Sequence, residues 1–243
     1  MNLSRRDGRP LVIGHRGAAA VAPANTVAAL QAAIAAGADL VEFDVGPDLR
    51  LAHSAREESV DQADLGSALE LLHAHDVGVH VDLKLPGYEA EVVELIRRHD
   101  VSGRTLVSTA WPASTRMLAR IAPELPRAIS YPRDHYGISR APWPRLMTRT
   151  GAASLRLAMP ARVLFLVRRT RANVLSLHHA LCSRAAVAAS HRLGVPVLAW
   201  TANDVGTVQR LAAIGVDAIV SDDPALALGA LEALEGVATL TPP

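Results

Sequence analysis

Cysteine, aromatic residues and long apolar segments are scarce in this sequence of 243 residues. The single cysteine, Cys182, excludes an internal disulfide framework and a zinc site built from cysteines. Because no stretch of about 20 apolar residues is free of charge, no membrane span is predicted. The basic start at 1–6 is followed by Asp-Gly-Arg-Pro at 7–10 rather than by an apolar run, so we predict no signal peptide and expect a cytoplasmic protein.

Charge is nearly balanced, with 25 basic and 24 acidic residues, which argues against general affinity for nucleic acid. Lys84 is the one lysine. Residues 127–171, in contrast, hold ten arginines and a single acid, Asp134. This asymmetry fits either a local contact with phosphate or lipid headgroups, or a solvated arginine-rich face. The apolar run flanked by arginines at 155–171 predicts either peripheral membrane contact or an ordinary helix packed inward.

Short apolar runs alternate with longer segments of helical periodicity along the chain. The predicted strands are 11–14, 40–45, 79–83, 106–109, 128–131, 174–177, 195–200 and 218–221. Helices are predicted from Asn25 or Thr26 to Gly37, and over 65–75, 88–98, 184–192 and 205–214.

Eight strands separated by helices in a chain of this length favour an α/β fold, a (β/α)₈ TIM barrel. The alternative, an open doubly wound sheet, rarely needs eight parallel strands, and no Gly-x-Gly-x-x-Gly follows the first strand. We expect one domain over 1–243, with the barrel at about 11–235 and an elaborated connection at about 132–172.

Charged and polar residues stand at the ends of the first three predicted strands, where such a barrel places its active site. They are, in strand order, His15 and Arg16, Glu42 and Asp44, and Asp82 and Lys84. Because alternate residues of a strand share a face, Glu42 and Asp44 point the same way. Two acids inside a barrel need positive charge between them, and a hard divalent cation bound by Glu42, Asp44 and Asp82 supplies it. The alternative is a buried Asp82–Lys84 ion pair with no further role.

A second histidine, His53, follows a short hairpin-like excursion that begins at the turn 46–48. This excursion would return an imidazole toward the metal. With His15, it would provide the two groups that acid–base phosphoester chemistry requires, one to take a proton from the nucleophile and one to protonate the leaving oxygen.

These residues resemble the motifs of the glycerophosphodiester phosphodiesterase family. The resemblance runs from residue 12 to 224 and is thin between 110 and 172. The matching motifs are His15-Arg16-Gly17, Pro23-Ala24-Asn25-Thr26, Gly37-Ala38-Asp39, Glu42-Phe43-Asp44, His53, Asp82-Leu83-Lys84, Trp200-Thr201-Ala202-Asn203 and the run 215–224.

The resemblance implies metal-dependent hydrolysis of a glycerophosphodiester to an alcohol and glycerol 3-phosphate. By the same resemblance, the metal, Ca²⁺ or Mg²⁺, would be bound by Glu42, Asp44 and Asp82. His15 and His53 would form the acid–base pair, and Arg16 and Lys84 would hold phosphate oxygens. Trp200 ends the seventh predicted strand, where it would either stack on the substrate or belong to the barrel core.

This sequence departs from the family pattern at Ala24, Ser54 and Asp82, where Glu, Asp and Glu are usual. Asp82 is one methylene shorter than Glu, so it must approach the metal more closely or bind it through water. Two other functions stay open: cleavage of lysophospholipids in the manner of a phospholipase D, and a catalytically silent barrel that binds a phosphorylated ligand. Either the substrate's own hydroxyl or water would be the nucleophile.

Overall fold

Eight parallel strands form a closed barrel in the computed structural model. The structure describes residues 1, 3, 5, 8–52, 63–133 and 145–240, with backbone alone for 145–152 and 235–240. The strands are β1 (Leu11–Gly14), β2 (Leu40–Val45), β3 (Gly78–Leu83), β4 (Thr105–Thr109), β5 (Arg127–Tyr131), β6 (Val174–His178), β7 (Val197–Trp200) and β8 (Ala218–Ser221). Each strand pairs with the next along the chain, and β8 closes the barrel against β1. The predicted (β/α)₈ barrel is confirmed.

A helix follows each strand. The helices are α1 (Val27–Ala35), α2 (Leu65–Ala74), α3 (Glu89–Arg98), α4 (Pro112–Ile121), α5 (Arg145–Thr170), α6 (Arg184–His191), α7 (Val205–Ala213) and α8 (Pro224–Leu240). Short 3₁₀ turns precede β4 and α6, at Ser102–Arg104 and His179–Leu181. The predicted boundaries differ from these by at most two residues. β7, for example, starts at Val197, two residues later than predicted.

The segment between β5 and β6, predicted to be an elaborated connection, contains the 26-residue helix α5. Pro160 lies inside this helix. Because proline disfavours the interior of a helix, its presence made the helix difficult to predict from the sequence. Tertiary packing explains why the helix nevertheless continues through the proline, because Met159 and Val163 are fully buried against the barrel. No helix among the described residues is both long and apolar enough to cross a membrane.

Apolar side chains fill both the barrel interior and the layer between strands and helices. Leu11, Ile13 and Leu40 point into the barrel, whereas Val41 and Phe43 pack against the surrounding helices. Strands buried on both faces read as continuous apolar runs, which is why the sequence revealed them. Toward the carboxyl ends of β2 and β3, charged residues replace the apolar ones on the inward face.

Candidate active site

Three carboxylates meet at the carboxyl ends of β2 and β3. Asp44 and Asp82 are direct partners in the register of the two strands, and Glu42 lies two residues before Asp44 on the same face. One ligand oxygen from each residue lies within 4.8 Å of the others. Glu42 and Asp44 are buried. The predicted convergence of these side chains is therefore present in the structure.

Two cations lie against the carboxylates. The Lys84 ammonium contacts Asp44 and lies 2.5 Å from Oδ2 of Asp82. Nε of Arg16 lies 2.9 Å from Oδ2 of Asp44, and the Arg16 backbone amide donates to Oε2 of Glu42 at 2.8 Å. Lys84 and Arg16 thus hold positive charge beside the carboxylates, as the strand pattern predicted.

Asn25 fixes the orientation of Asp44. Its side-chain amide donates to Oδ2 of Asp44 at 3.2 Å, while its carbonyl oxygen accepts from the Asp44 amide at 3.1 Å. Asn25 is buried and adopts a positive φ of 63°, a conformation that asparagine tolerates better than most residues. The sequence predicts that α1 begins at either Asn25 or Thr26; in the structure Thr26 is the cap, and its hydroxyl accepts from the Ala29 amide.

The electrostatics of the cluster fit a divalent cation. Burial, followed by repulsion from Asp44, raises the pKa of Glu42 to about 7. Burial alone would lower the pKa of Lys84, but Asp82, Asp44 and Glu42 outweigh it and raise that pKa. Even with this lysine charged, the Glu42 carboxyl is therefore not fully ionised at neutral pH. A group of buried carboxylate oxygens is also the donor set that Ca²⁺ and Mg²⁺ prefer.

His15 is oriented by two residues from the far end of the chain. Its Nδ1 lies 2.5 Å from Oδ1 of Asp222, the residue after β8. The Asn203 amide donates to the other Asp222 oxygen, and the Asp222 backbone amide donates to the Asn203 carbonyl at 2.9 Å. Burial lowers the pKa of His15, but the Asp222 hydrogen bond and the charge of Glu42 raise it by more.

Asp222 and Asn203 were seen in the sequence only as parts of closing motifs, with no role. About 200 residues separate them from His15, so only the closure of β8 against β1 brings them together. The one sequence feature that could have indicated a role for Asp222 was its position directly after a predicted barrel strand.

His80 and Ser108 were also missed. They extend from the carboxylate cluster into the barrel interior, with Ser108 donating to Asp82 at 2.5 Å and His80 lying 2.8 Å from Ser108. Burial lowers the pKa of His80 to about 4, so its imidazole is neutral.

Aromatic residues lie along the same rim of the barrel. Trp200 ends β7 and packs edge-on against His178 of β6, with the ring centroids 5.1 Å apart. Its indole nitrogen is buried and has no hydrogen-bond partner within the described part of the chain. Just beyond the ends of β4 and β5, the Arg133 guanidinium lies 3.2 Å from the centroid of the Trp111 ring. Neither Trp111 nor Arg133 was predicted for the site.

The second predicted catalytic histidine, His53, lies outside the described residues, as does Ser54. The hairpin-like excursion before it is present, because Gly46 donates to the Arg50 carbonyl and Val45 bridges to Leu51. The amide of Ala52 then donates to the Asp44 carbonyl at 3.1 Å. The chain thus returns to the carboxylate cluster one residue before His53.

This geometry defines a class of barrel enzyme in which acids, cations and a tethered histidine converge at the carboxyl ends of the strands. Sequence comparison identifies the particular family. The profile of the glycerophosphoryl diester phosphodiesterase family matches residues 15–46 and 79–226. The chain belongs to this family and is an enzyme of the phosphodiesterase class.

Individual relatives are similar along nearly their full length. YhdW of Bacillus subtilis, assigned as a glycerophosphodiester phosphodiesterase, is 25% identical over 251 residues, covering 88% of this chain and 94% of the relative. The same activity is assigned to a solved structure from Silicibacter pomeroyi, with a TM-score of 0.74 and 21% identity over 96% of both chains. An Oleispira antarctica phosphodiesterase in complex with sn-glycerol-3-phosphate has a TM-score of 0.70 and 22% identity, covering 92% of this chain and 97% of that one.

Proposed function

We propose that this protein hydrolyses glycerophosphodiesters to an alcohol and glycerol 3-phosphate. The observation that carries the proposal is the group of three carboxylates within 4.8 Å, placed beside Arg16, Lys84 and the tethered His15. Acids for a divalent cation, cations for phosphate oxygens and an imidazole for proton transfer are the components that phosphodiester hydrolysis needs. The product bound to the Oleispira relative supports this substrate class.

In this proposal, Glu42, Asp44 and Asp82 hold Ca²⁺ or Mg²⁺. When bound, the ion polarises the phosphoryl group and stabilises negative charge on its oxygens. Arg16 and Lys84 lie at the edge of the same cluster and would bind the remaining phosphate oxygens.

His15 would move a proton at Nε2, because Asp222 holds its Nδ1. The oxygen of the nucleophile bonds to phosphorus, and the bond from phosphorus to the headgroup oxygen breaks. One histidine takes the proton of the nucleophile, and the other gives a proton to the departing alcohol. His53 is proposed as that second histidine on the basis of its position after Ala52. Trp200 would stack on the substrate at the rim of the barrel.

The test is the release of glycerol 3-phosphate from a panel of glycerophosphodiesters in Ca²⁺, Mg²⁺, Mn²⁺ or EDTA. We expect metal-dependent release that is lost in His15→Ala and Glu42→Ala but retained in two exposed controls, His75→Ala and Glu91→Ala. No release with any metal or headgroup would contradict the proposal. Binding of glycerol 3-phosphate without turnover would then indicate the silent barrel.

Lysophospholipids are a second candidate substrate class, favoured by the surface of α5. Leu157 is 83% exposed and Phe165 is 62% exposed, on a helix that contains six arginines and no acid. An apolar surface flanked by arginines is typical of helices that lie on anionic membranes. Peripheral contact through 155–171 would bring the protein to lipid substrates.

Two measurements separate this candidate from the first. Faster turnover of lysophosphatidylcholine than of glycerophosphocholine would support the lipid substrate. In co-sedimentation with anionic vesicles, Leu157→Ser and Phe165→Ser should reduce binding, whereas Leu193→Ser, at a leucine that is 41% exposed after α6, should not. Absence of vesicle binding by the unaltered protein would contradict the membrane contact.

A further inference from the structure

A buried chain of hydrogen bonds connects the carboxylate cluster to the barrel interior. Ser108 of β4 lies beside Asp82 in the strand register, and its hydroxyl donates to Oδ1 of Asp82 at 2.5 Å. Nε2 of His80, two residues before Asp82 on β3, lies 2.8 Å from the same hydroxyl oxygen. His80 is 3% exposed and Ser108 is 1% exposed. Neither side chain can exchange its partner for bulk water.

The direction of these hydrogen bonds follows from the number of protons available. A serine hydroxyl has one proton, and Ser108 gives it to the Asp82 carboxylate. The serine oxygen must therefore accept from His80, which places a proton on Nε2 of that ring. Nδ1 of His80 is buried and has no hydrogen-bond partner among the described residues.

An orphaned buried nitrogen is costly, so this histidine is not explained by packing alone. A hydrophobic side chain would fill the barrel at position 80 without leaving a polar atom unsatisfied. What His80 supplies and a hydrophobic residue cannot is a donor that fixes the Ser108 hydroxyl in the orientation that holds Asp82.

We propose that Ser108 and His80 are positioning residues that hold the short side chain of Asp82 in place to bind the divalent cation. Residues that hydrogen-bond to metal ligands orient those ligands, and their removal typically weakens metal binding by about 10- to 100-fold. Asp82 also contacts Lys84 through its other oxygen. Without Ser108, we expect the carboxylate to turn toward that lysine and leave the cluster. This inference rests on the metal site of the proposed function.

The test measures metal binding directly by isothermal titration calorimetry with Ca²⁺ and with Mg²⁺, independently of turnover. Ser108→Ala should weaken binding by about 10-fold or more. Ser108→Thr, which keeps the hydroxyl, should restore most of the affinity. The matched control is Ser176→Ala, which removes a buried serine from β6, a strand that pairs with β5 and β7 rather than with β2 or β3.

A second variant distinguishes positioning from a merely structural role. His80→Leu should weaken metal binding less than Ser108→Ala, because Ser108 can still donate to Asp82. Both changes interrupt the same chain of hydrogen bonds. The double variant, His80→Leu with Ser108→Ala, should therefore bind metal no more weakly than Ser108→Ala alone. Circular dichroism of each metal-free variant verifies its fold. If Ser108→Ala does not fold, the metal affinities of the single variants His80→Leu and Ser108→Thr still test the inference.

Unchanged affinity in folded Ser108→Ala, or additive losses in the double variant, would overturn the inference. If the unaltered protein binds no divalent cation, both the inference and the proposed metal site fail. If it binds the cation as described but releases no glycerol 3-phosphate, the proposed activity fails and the positioning role stands.

Discussion

At the scale of single residues, Asp222 gives His15 the orientation and basicity that the proposed proton transfer would need. Its carboxylate lies 2.5 Å from Nδ1 and fixes the ring so that Nε2 remains for the substrate. A carboxylate in this position also favours the protonated imidazole, because it compensates for the cost of burying a positive charge. His15 thereby becomes both oriented and more basic than an isolated buried histidine.

Replacing Asp222 by asparagine should remove the charge and retain the approximate shape. We expect the pKa of His15 to fall, because burial would then act with less opposition. We expect kcat to fall by roughly 10- to 100-fold, since acid–base catalysis depends on the orientation and protonation of the imidazole. NMR titration of the His15 ring and steady-state kinetics would measure the two effects.

The neighbouring acid provides the control for this experiment. The Asp223 side chain accepts from the amide of Leu226 in the first turn of α8, and asparagine can make the same contact. Asp223→Asn should therefore leave both the His15 titration and kcat near their original values. An unaltered His15 pKa in Asp222→Asn would show that the contact seen in the structure does not control this histidine.

At the scale of secondary-structure elements, the β1–α1 connection places Arg16 and Asn25 by means of unusual backbone angles. Gly17 has a φ of 84°, and its amide donates to the Glu42 carbonyl at 2.9 Å. A Cβ at this position would lie 2.5 Å from the Ala29 carbonyl oxygen in α1. The turn can pass between β2 and α1 only because residue 17 has no side chain.

Gly17→Ala should therefore destabilise the fold and displace the site. We expect the free energy of unfolding to fall by about 3 kcal/mol, from a strained left-handed alanine together with the clash against α1. Urea denaturation followed by circular dichroism would measure this change.

Gly229→Ala is the matched comparison for this glycine. Gly229 lies within α8, and a Cβ there would meet no atom within 4 Å. Alanine should raise the free energy of unfolding by about 0.5–1 kcal/mol, because glycine is unfavourable inside a helix. Equal effects of the two substitutions would contradict the close approach of Gly17 to α1.

At the scale of the whole molecule, a cation bound by β2 and β3 should stabilise the folded barrel. A ligand that binds only the folded state adds about 2.7 kcal/mol at a concentration 100 times its dissociation constant. Thermal unfolding should therefore shift to higher temperature in Ca²⁺ or Mg²⁺ and return in EDTA. Glu42→Gln should reduce the shift, because it removes one of the three carboxylates.

This stabilisation should depend on pH in a definite direction. The pKa of Glu42 is raised to about 7, so its carboxyl is mostly protonated at pH 6 and mostly ionised at pH 8. A cation must displace that proton at pH 6. At a fixed metal concentration, we therefore expect a larger increase in Tm at pH 8 than at pH 6. Equal increases at both pH values would contradict a site in which Glu42 is a ligand.

Three properties of the whole chain stay predictions: one domain over 1–243, a cytoplasmic location, and no affinity for nucleic acid.

The sequence is sufficient to predict the barrel and much of the candidate site. Strands such as Leu40–Val45 are readable because burial on both faces demands a continuous apolar run. Glu42 and Asp44 stand out because charge interrupts that run with a period of two.

Contacts between distant segments could be decided only by the tertiary structure. The tether between His15 and Asp222 depends on barrel closure, and the chain from His80 through Ser108 to Asp82 depends on the register of β3 with β4. The continuation of α5 through Pro160 depends on packing that compensates for a lost hydrogen bond. Local sequence patterns determine which elements form and which faces they bury, because both depend on residues that are close together in the sequence. Which side chains meet is decided by register and closure, which bring together residues far apart in the sequence.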